Sequence, residues 1–132
     1  MKVEEVAPFV FCFKSESNKI KSYQKLVNFL KSNGWLNERG EKLAPLSSYH
    51  SDDSGNCHIL LSNDTVSEAF MELVNEMFES LISDSDINWI KVGFYPSTES
   101  IIYNNVDKYS RFQSIHIQEM VTGDMMVVFK RS

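Results

Sequence analysis

Between Leu43 and Ile90 the chain has no Lys and no Arg, although nine acidic residues fall in that interval. Other residue types are scarce throughout, with two Cys, three Pro and five Gly in 132 residues. Two cysteines cannot make a disulfide framework, and Cys12 and Cys57 each sit in an apolar run, where a thiol behaves as a small buried hydrophobe. Both are expected to be reduced. The low Gly and Pro content, with neither an internal repeat nor a low-complexity segment, excludes the fibrous and disordered classes. The apolar run Phe9–Phe13 is too short for a membrane span or for the core of a signal peptide, so a cytoplasmic protein is expected.

Motifs that carry chemistry are missing as well. There is no Gly-x-Ser-x-Gly, no phosphate-cradling glycine loop and no dinucleotide fingerprint. His50, Asp52, Asp53, Cys57 and His58 are donor types that suit zinc, but they fit no Cys-x-x-Cys or His-Glu-x-x-His frame, and in a hairpin Cys57 and His58 point to opposite faces. Asp52 and Asp53 also lack the alternating ligands of a calcium loop. No metal is expected. The three His residues stand in no recognisable catalytic frame, and His116, between Ile115 and Ile117, reads as the outward residue of an alternating strand. The chain is therefore read as a non-enzyme without a cofactor. Its net charge of −5 disfavours nucleic-acid phosphates and anionic membranes and matches a basic protein better.

What is present is one domain over residues 1–132, since a chain of this length buries roughly two thirds of its unfolded surface around a single core. Its longest periodic stretch runs from Thr65 to Ile82. Val66, Ala69, Phe70, Leu73, Val74, Met77, Phe78, Leu81 and Ile82 share one face of a helix, with Thr65 and Glu68 at capping-box spacing. The opposite face carries Glu68, Glu72, Glu76 and Glu79. An earlier helix is expected after a cap at Ser15 or Ser17, with Ile20, Tyr23, Val27 and Leu30 inward, Leu26 and Phe29 beside them, and a stop at Asn33-Gly34. It is basic: from Lys14 to Lys42 there are seven cationic residues against three acids. Lys21 and Lys25 stand one turn apart and suit phosphates, but Tyr23 belongs to the apolar stripe, so a solvated helix face is the reading taken.

Ala7–Phe13, apolar on both faces, reads as a central strand. Leu46–His50 reads as an edge strand joined to Cys57–Leu61 by a loop of five or six residues, and Ile87–Tyr95 as a strand ended by Pro96. Ser100–Tyr103 is a weaker strand, Asn104–Phe112 is irregular or briefly helical, and Ser114–Met120 with Met125–Lys130 forms a hairpin around Val121–Asp124. The fold class is α+β, with two main helices packed on a mostly antiparallel mixed sheet. The order over residues 1–95 resembles a ferredoxin-like split βαβ arrangement, with a C-terminal β-hairpin added.

The acidic helix is the remaining feature. Glu68/Glu72 and Glu72/Glu76 are like-charge pairs at i,i+4, each destabilising by roughly 0.2–0.5 kcal/mol. Asp52, Asp53, Asp84 and Asp86 extend the acidic set into the flanking loops. Such a stripe serves solubility, answers the Lys-rich helix within the domain, or meets a partner. In general build over the whole chain the protein resembles the small acidic bacterial immunity proteins of contact-dependent inhibition and related toxin systems. No functional positions are carried over. The resemblance implies a binding inhibitor whose acidic side chains occupy the cationic site of a basic, nuclease-type toxin domain. The alternatives are a small regulatory or adaptor module that binds another protein and, after it, a small enzyme with a His-containing site.

Overall fold

The computed structural model describes residues 9–14, 18–64, 67–84, 86–87 and 89–94, together with the strands at 112–119 and 125–131; for residues 89, 91, 93, 94 and the last two strands it describes the backbone. Six strands and two helices follow the order β1 (Phe9–Lys14), α1 (Lys19–Ser32), β2 (Leu46–Ser51), β3 (Asn56–Leu61), α2 (Glu68–Ser83), β4 (Trp89–Phe94), β5 (Phe112–Glu119) and β6 (Met125–Arg131). They form one sheet in the order β2-β3-β1-β4-β6-β5. Every described pairing is antiparallel, so the sheet is not mixed. The segment β2-β3-β1-β4 is the split βαβ order expected, with α1 and α2 as its crossovers. The final hairpin extends the sheet from β4, and its register sets Ile115 opposite Phe129 and Ile117 opposite Val127.

Side chains on a strand alternate between faces, so Phe9, Phe11 and Phe13 share one face of β1. Phe9 meets Phe70 and Phe11 meets Phe78, both on α2, while Phe13 meets Phe29 on α1, all edge-on with centroids 5.9, 5.9 and 6.1 Å apart. Both helices therefore cover the same face. Cys57, Ile59 and Leu61 of β3 and Ile90 and Val92 of β4 complete that core, and all five are inaccessible to solvent. The other face of β1 is not closed: Val10 is exposed and Cys12 half-buried. The strand is central, as its apolar residues suggest, but two-faced burial does not follow because the helices occupy one side.

α2 buries Phe70, Met71, Val74, Met77, Phe78, Leu81 and Ile82. Ala69 is exposed and Leu73 half-buried, so the stripe is narrower than its letters imply and includes Met71. Its cap is Ser67, whose hydroxyl accepts from the Phe70 N–H at 3.1 Å, in place of Thr65. α1 keeps Leu26, Val27, Phe29 and Leu30 in or against the core as expected, but not Ile20 and Tyr23 of its first turns. It buries Ser22, Leu26 and Leu30, leaves Ile20 and Tyr23 exposed, and is capped by Asn18, whose side chain accepts from the Lys21 N–H at 2.9 Å. Ser22 tolerates burial because its hydroxyl is shared between the Asn18 and Lys19 carbonyls, at 2.9 and 3.0 Å. Beyond Gly34, at φ 79°, Trp35 folds back and its N–H donates to the Leu30 carbonyl at 2.8 Å.

The β2–β3 loop is shorter than expected, four residues between strands. The Gly55 N–H donates to the Asp52 carbonyl at 3.1 Å and the Asp52 N–H to the Asn56 carbonyl at 2.9 Å. Gly55, at φ 84°, supplies the left-handed residue of a turn with a glycine bulge. The expectations at Val66, Pro96, Ser100–Tyr103 and Val121–Asp124 fall outside the described residues. Among the described residues no helix is long and apolar enough to cross a membrane.

Candidate functional site

α2 presents its acids because the opposite side of the helix is buried on the sheet. Glu68, Glu72 and Glu76 are exposed at successive turns, and Glu79 is half-buried with Asn75 Nδ2 donating to its Oε1 at 3.5 Å. Glu68 lies in the first turn, where a negative charge favours the helix dipole, but no basic residue balances the last turn. Among the described residues the side chains of Glu68, Glu72 and Glu76 make no ion pair and no hydrogen bond. A ridge of carboxylates one turn apart is thus fixed in place by a rigid helix and open to solvent.

The loop acids are arranged differently. Asp52 is the keystone of the β2–β3 loop: its carboxylate accepts from the Ser54 N–H at 3.0 Å, the Asn56 N–H at 3.0 Å, Asn56 Nδ2 at 3.1 Å and His58 Nε2 at 3.0 Å. The bond to His58, followed by that to the Asn56 backbone, holds its carboxyl well below the usual carboxylate range. Asp53 lies 4.0 Å from Lys19, and Asp86 lies 3.8 Å from Lys25, so the lysines of α1 answer both. Asp84 ends α2 and accepts from the Asp86 N–H at 2.9 Å. Of the eight acids singled out in the sequence, the structure lines up those of α2 and assigns the loop acids to local turns and to α1.

The histidine-rich hairpin holds a contact that spacing conceals. Cys57 points into the core, where its thiol donates to the Ser22 carbonyl at 3.5 Å, and His58 projects on the opposite side. His58 stacks on His50 with centroids 4.5 Å apart and planes 8° from parallel. Its bond to Asp52 is the imidazole–carboxylate pair that acid–base chemistry uses. Neither ring, however, is hydrogen-bonded to a hydroxyl or thiol among the described residues. The pair ties the turn to β3. Among the described residues no three His, Cys, Asp or Glu side chains are grouped to hold a metal ion. The signal for the Asp52–His58 pair is Asp-x-x-Gly, which sets a tight turn and brings residue 52 beside the strand that follows.

Set against protein-family models, curated proteins and solved structures, the chain has no match.

Proposed function

We propose that this chain is a protein-binding inhibitor that offers the acidic ridge of α2 to a basic partner, in the manner of an immunity protein that occludes the cationic site of a nuclease-type toxin domain in the cytoplasm. The observation that supports this reading is the contrast among the acids. Asp53 and Asp86 are answered by lysines, and Asp52 is consumed by its own loop, whereas Glu68, Glu72 and Glu76 are exposed with no cation on their helix. Like-charge neighbours destabilise a helix, so an arrangement that keeps them fits a surface selected for an electrostatic complement. Such a ridge steers encounter with a cationic site and repels competing phosphates. No enzymatic role is assigned, and an adaptor that binds a basic protein without inhibiting it is the alternative.

The test begins with the protein captured from the cells that make this chain. Its association rate is measured at low and high salt for the native chain and for Glu72→Lys with Glu76→Lys. The expected result is an association rate lowered at least tenfold at low salt, with a flatter salt dependence. Reversal of Lys21 and Lys31 to Glu should leave association equal or faster. An unchanged rate and salt slope in the α2 variant overturns the reading, and a captured partner that lacks toxic activity favours the adaptor.

A further inference from the structure

Glu76, Glu79, Ser80 and Ser83 follow one another at steps of three, one and three, the spacing that sets them along one flank of α2. Beside that flank the chain leaving α1 brings up Asn33 and Trp35, and together these residues line a solvent-open pocket of about 360 Å³. That volume is at the low end of the range for ligand sites. It suits one long side chain better than a helix, which is about 10–12 Å wide.

The polar wall offers acceptors. Asn33 turns its amide nitrogen onto the Phe29 carbonyl at 2.8 Å, and the Ser80 hydroxyl donates to the Glu76 carbonyl at 2.9 Å, so what these two side chains hold out to a ligand is oxygen. The Glu76 carboxylate makes no ion pair and no hydrogen bond among the described residues. Glu79 accepts from Asn75 Nδ2 at 3.5 Å through Oε1, a bond that does not exhaust the roughly four acceptor sites of a carboxylate. Among the described residues no cation lines the pocket: Lys31, in the last turn of α1, is exposed and stands outside the wall, and the last turn of α2 has no base. Asn33 is the C-cap of α1, and Ser80 and Ser83 lie in the last turn of α2, so the negative ends of two helix dipoles border the same space. Trp35, only 5% exposed, adds a narrow aromatic wall fixed by the core. A guanidinium answers this set better than an ammonium, because its planar fork reaches several acceptors at once and its weakly hydrated face can lie against an indole.

We propose that this pocket is an arginine-binding site, the anchor into which the basic partner of α2 inserts one guanidinium side chain. The proposal deepens and rests on the reading of α2 as the face for a basic protein: Glu68 and Glu72 steer encounter, and the pocket holds what arrives. The probe is the end-blocked peptide Gly-Arg-Gly, titrated into isotope-labelled protein against Gly-Lys-Gly. The expected result is saturable shifts of the Trp35 indole N–H and the Ser80 and Ser83 amides, with the arginine peptide favoured by about tenfold, the factor that one more hydrogen bond to a charged group supplies. Glu79→Gln keeps an oxygen for Asn75 and removes the charge, and it should weaken the arginine peptide by about tenfold. Ser83→Arg, at an exposed position, should fill the pocket from within and abolish the shifts. With the captured partner, Glu79→Gln should raise the dissociation rate by about tenfold and leave association nearly unchanged. A Glu72 and Glu76 reversal that leaves partner association unchanged, while the native chain still saturates with arginine peptide, removes the steering role and keeps the pocket's ligand. Absence of saturable shifts at tens of millimolar peptide, equal affinity for the two peptides, or shifts confined to the Glu68 and Glu72 turns overturns the anchor and leaves the steering reading to its own salt test.

Discussion

α1 and α2 cross the same face of one sheet, yet α1 buries three side chains along 14 residues while α2 buries seven along 16. α2 lies over the phenylalanines of the central strand, where seven of its side chains are buried, and the solvent side is left to glutamates. α1 lies toward the β2 edge, where there is less sheet to cover, and it spreads its lysines outward to the loop acids Asp53 and Asp86. One helix is held mainly by packing. The other is held by a few buried contacts and by hydrogen bonds between its backbone and the strands beneath: the Ser51 hydroxyl to the Lys19 carbonyl at 2.9 Å and the Cys57 thiol to the Ser22 carbonyl. The difference shows that similar hydrophobic spacing acquires different meaning according to how much sheet lies under it.

The sharpest way to break this contrast is to remove apolar mass from each helix. Phe78→Ala should lower stability by about 3–5 kcal/mol in urea unfolding, because the ring is buried against Phe11 and leaves a cavity. Ile20→Ala should change stability by less than about 0.5 kcal/mol. Comparable losses at both would mean that α1 uses the face its letters suggest. Next in size are the caps. Asn18→Ala and Ser67→Ala should each cost about 1 kcal/mol, and a negligible loss at Asn18 alone would show that the strand contacts hold the start of α1 without it.

Charge reversal should then act with opposite sign on the two helices. Glu72→Lys replaces two like-charge neighbours by attractive pairs and should stabilise by about 0.5 kcal/mol at low salt. Lys25→Glu sets a second carboxylate beside Asp86 and should destabilise by up to about 1 kcal/mol. Equal signs from thermal melts would refute the division of charge. Smallest is the effect of acid on Asp52, a partly exposed group. Folded Asp52 binds its proton less readily than unfolded Asp52, so its contribution is complete above about pH 4 and is lost as pH falls toward the lower folded value. Asp52→Asn should reduce the acid-induced loss of stability in that range while leaving the slope above pH 5 unchanged.

Much of this architecture is legible in the residues. The Phe9–Phe13 alternation, the Phe70-to-Ile82 stripe, the Asn33-Gly34 stop and the order of the first four strands all rest on local periodicity and turn chemistry, which tertiary packing left in force. The inward face of the first turns of α1 was not legible, where Ser22 is buried in place of Ile20 and Tyr23. Ile20, Tyr23, Val27 and Leu30 satisfy the helical period as well as Ser22, Leu26 and Leu30 do, and a buried serine satisfied by its own helix is indistinguishable in sequence from a surface one. The acidic residues could be read, but their partners could not. Lys19 and Asp53 are brought together by the fold, and the Asp52–His58 pair depends on a turn one or two residues tighter than expected.

The central position of β1 has a consequence for the chain during its synthesis. Phe9 pairs with Leu61, 52 positions later, and Val10 with Gly93, 83 positions later. At roughly 5–20 residues per second, the first strand emerges about 3–10 s before its nearest partner strand is complete. Throughout that interval three phenylalanines and the hydrogen-bonding groups on both edges of the strand remain without native strand partners. The segment that anchors the finished core is therefore made well before the strands that flank it, and its sheet position is filled only when distant parts of the chain arrive.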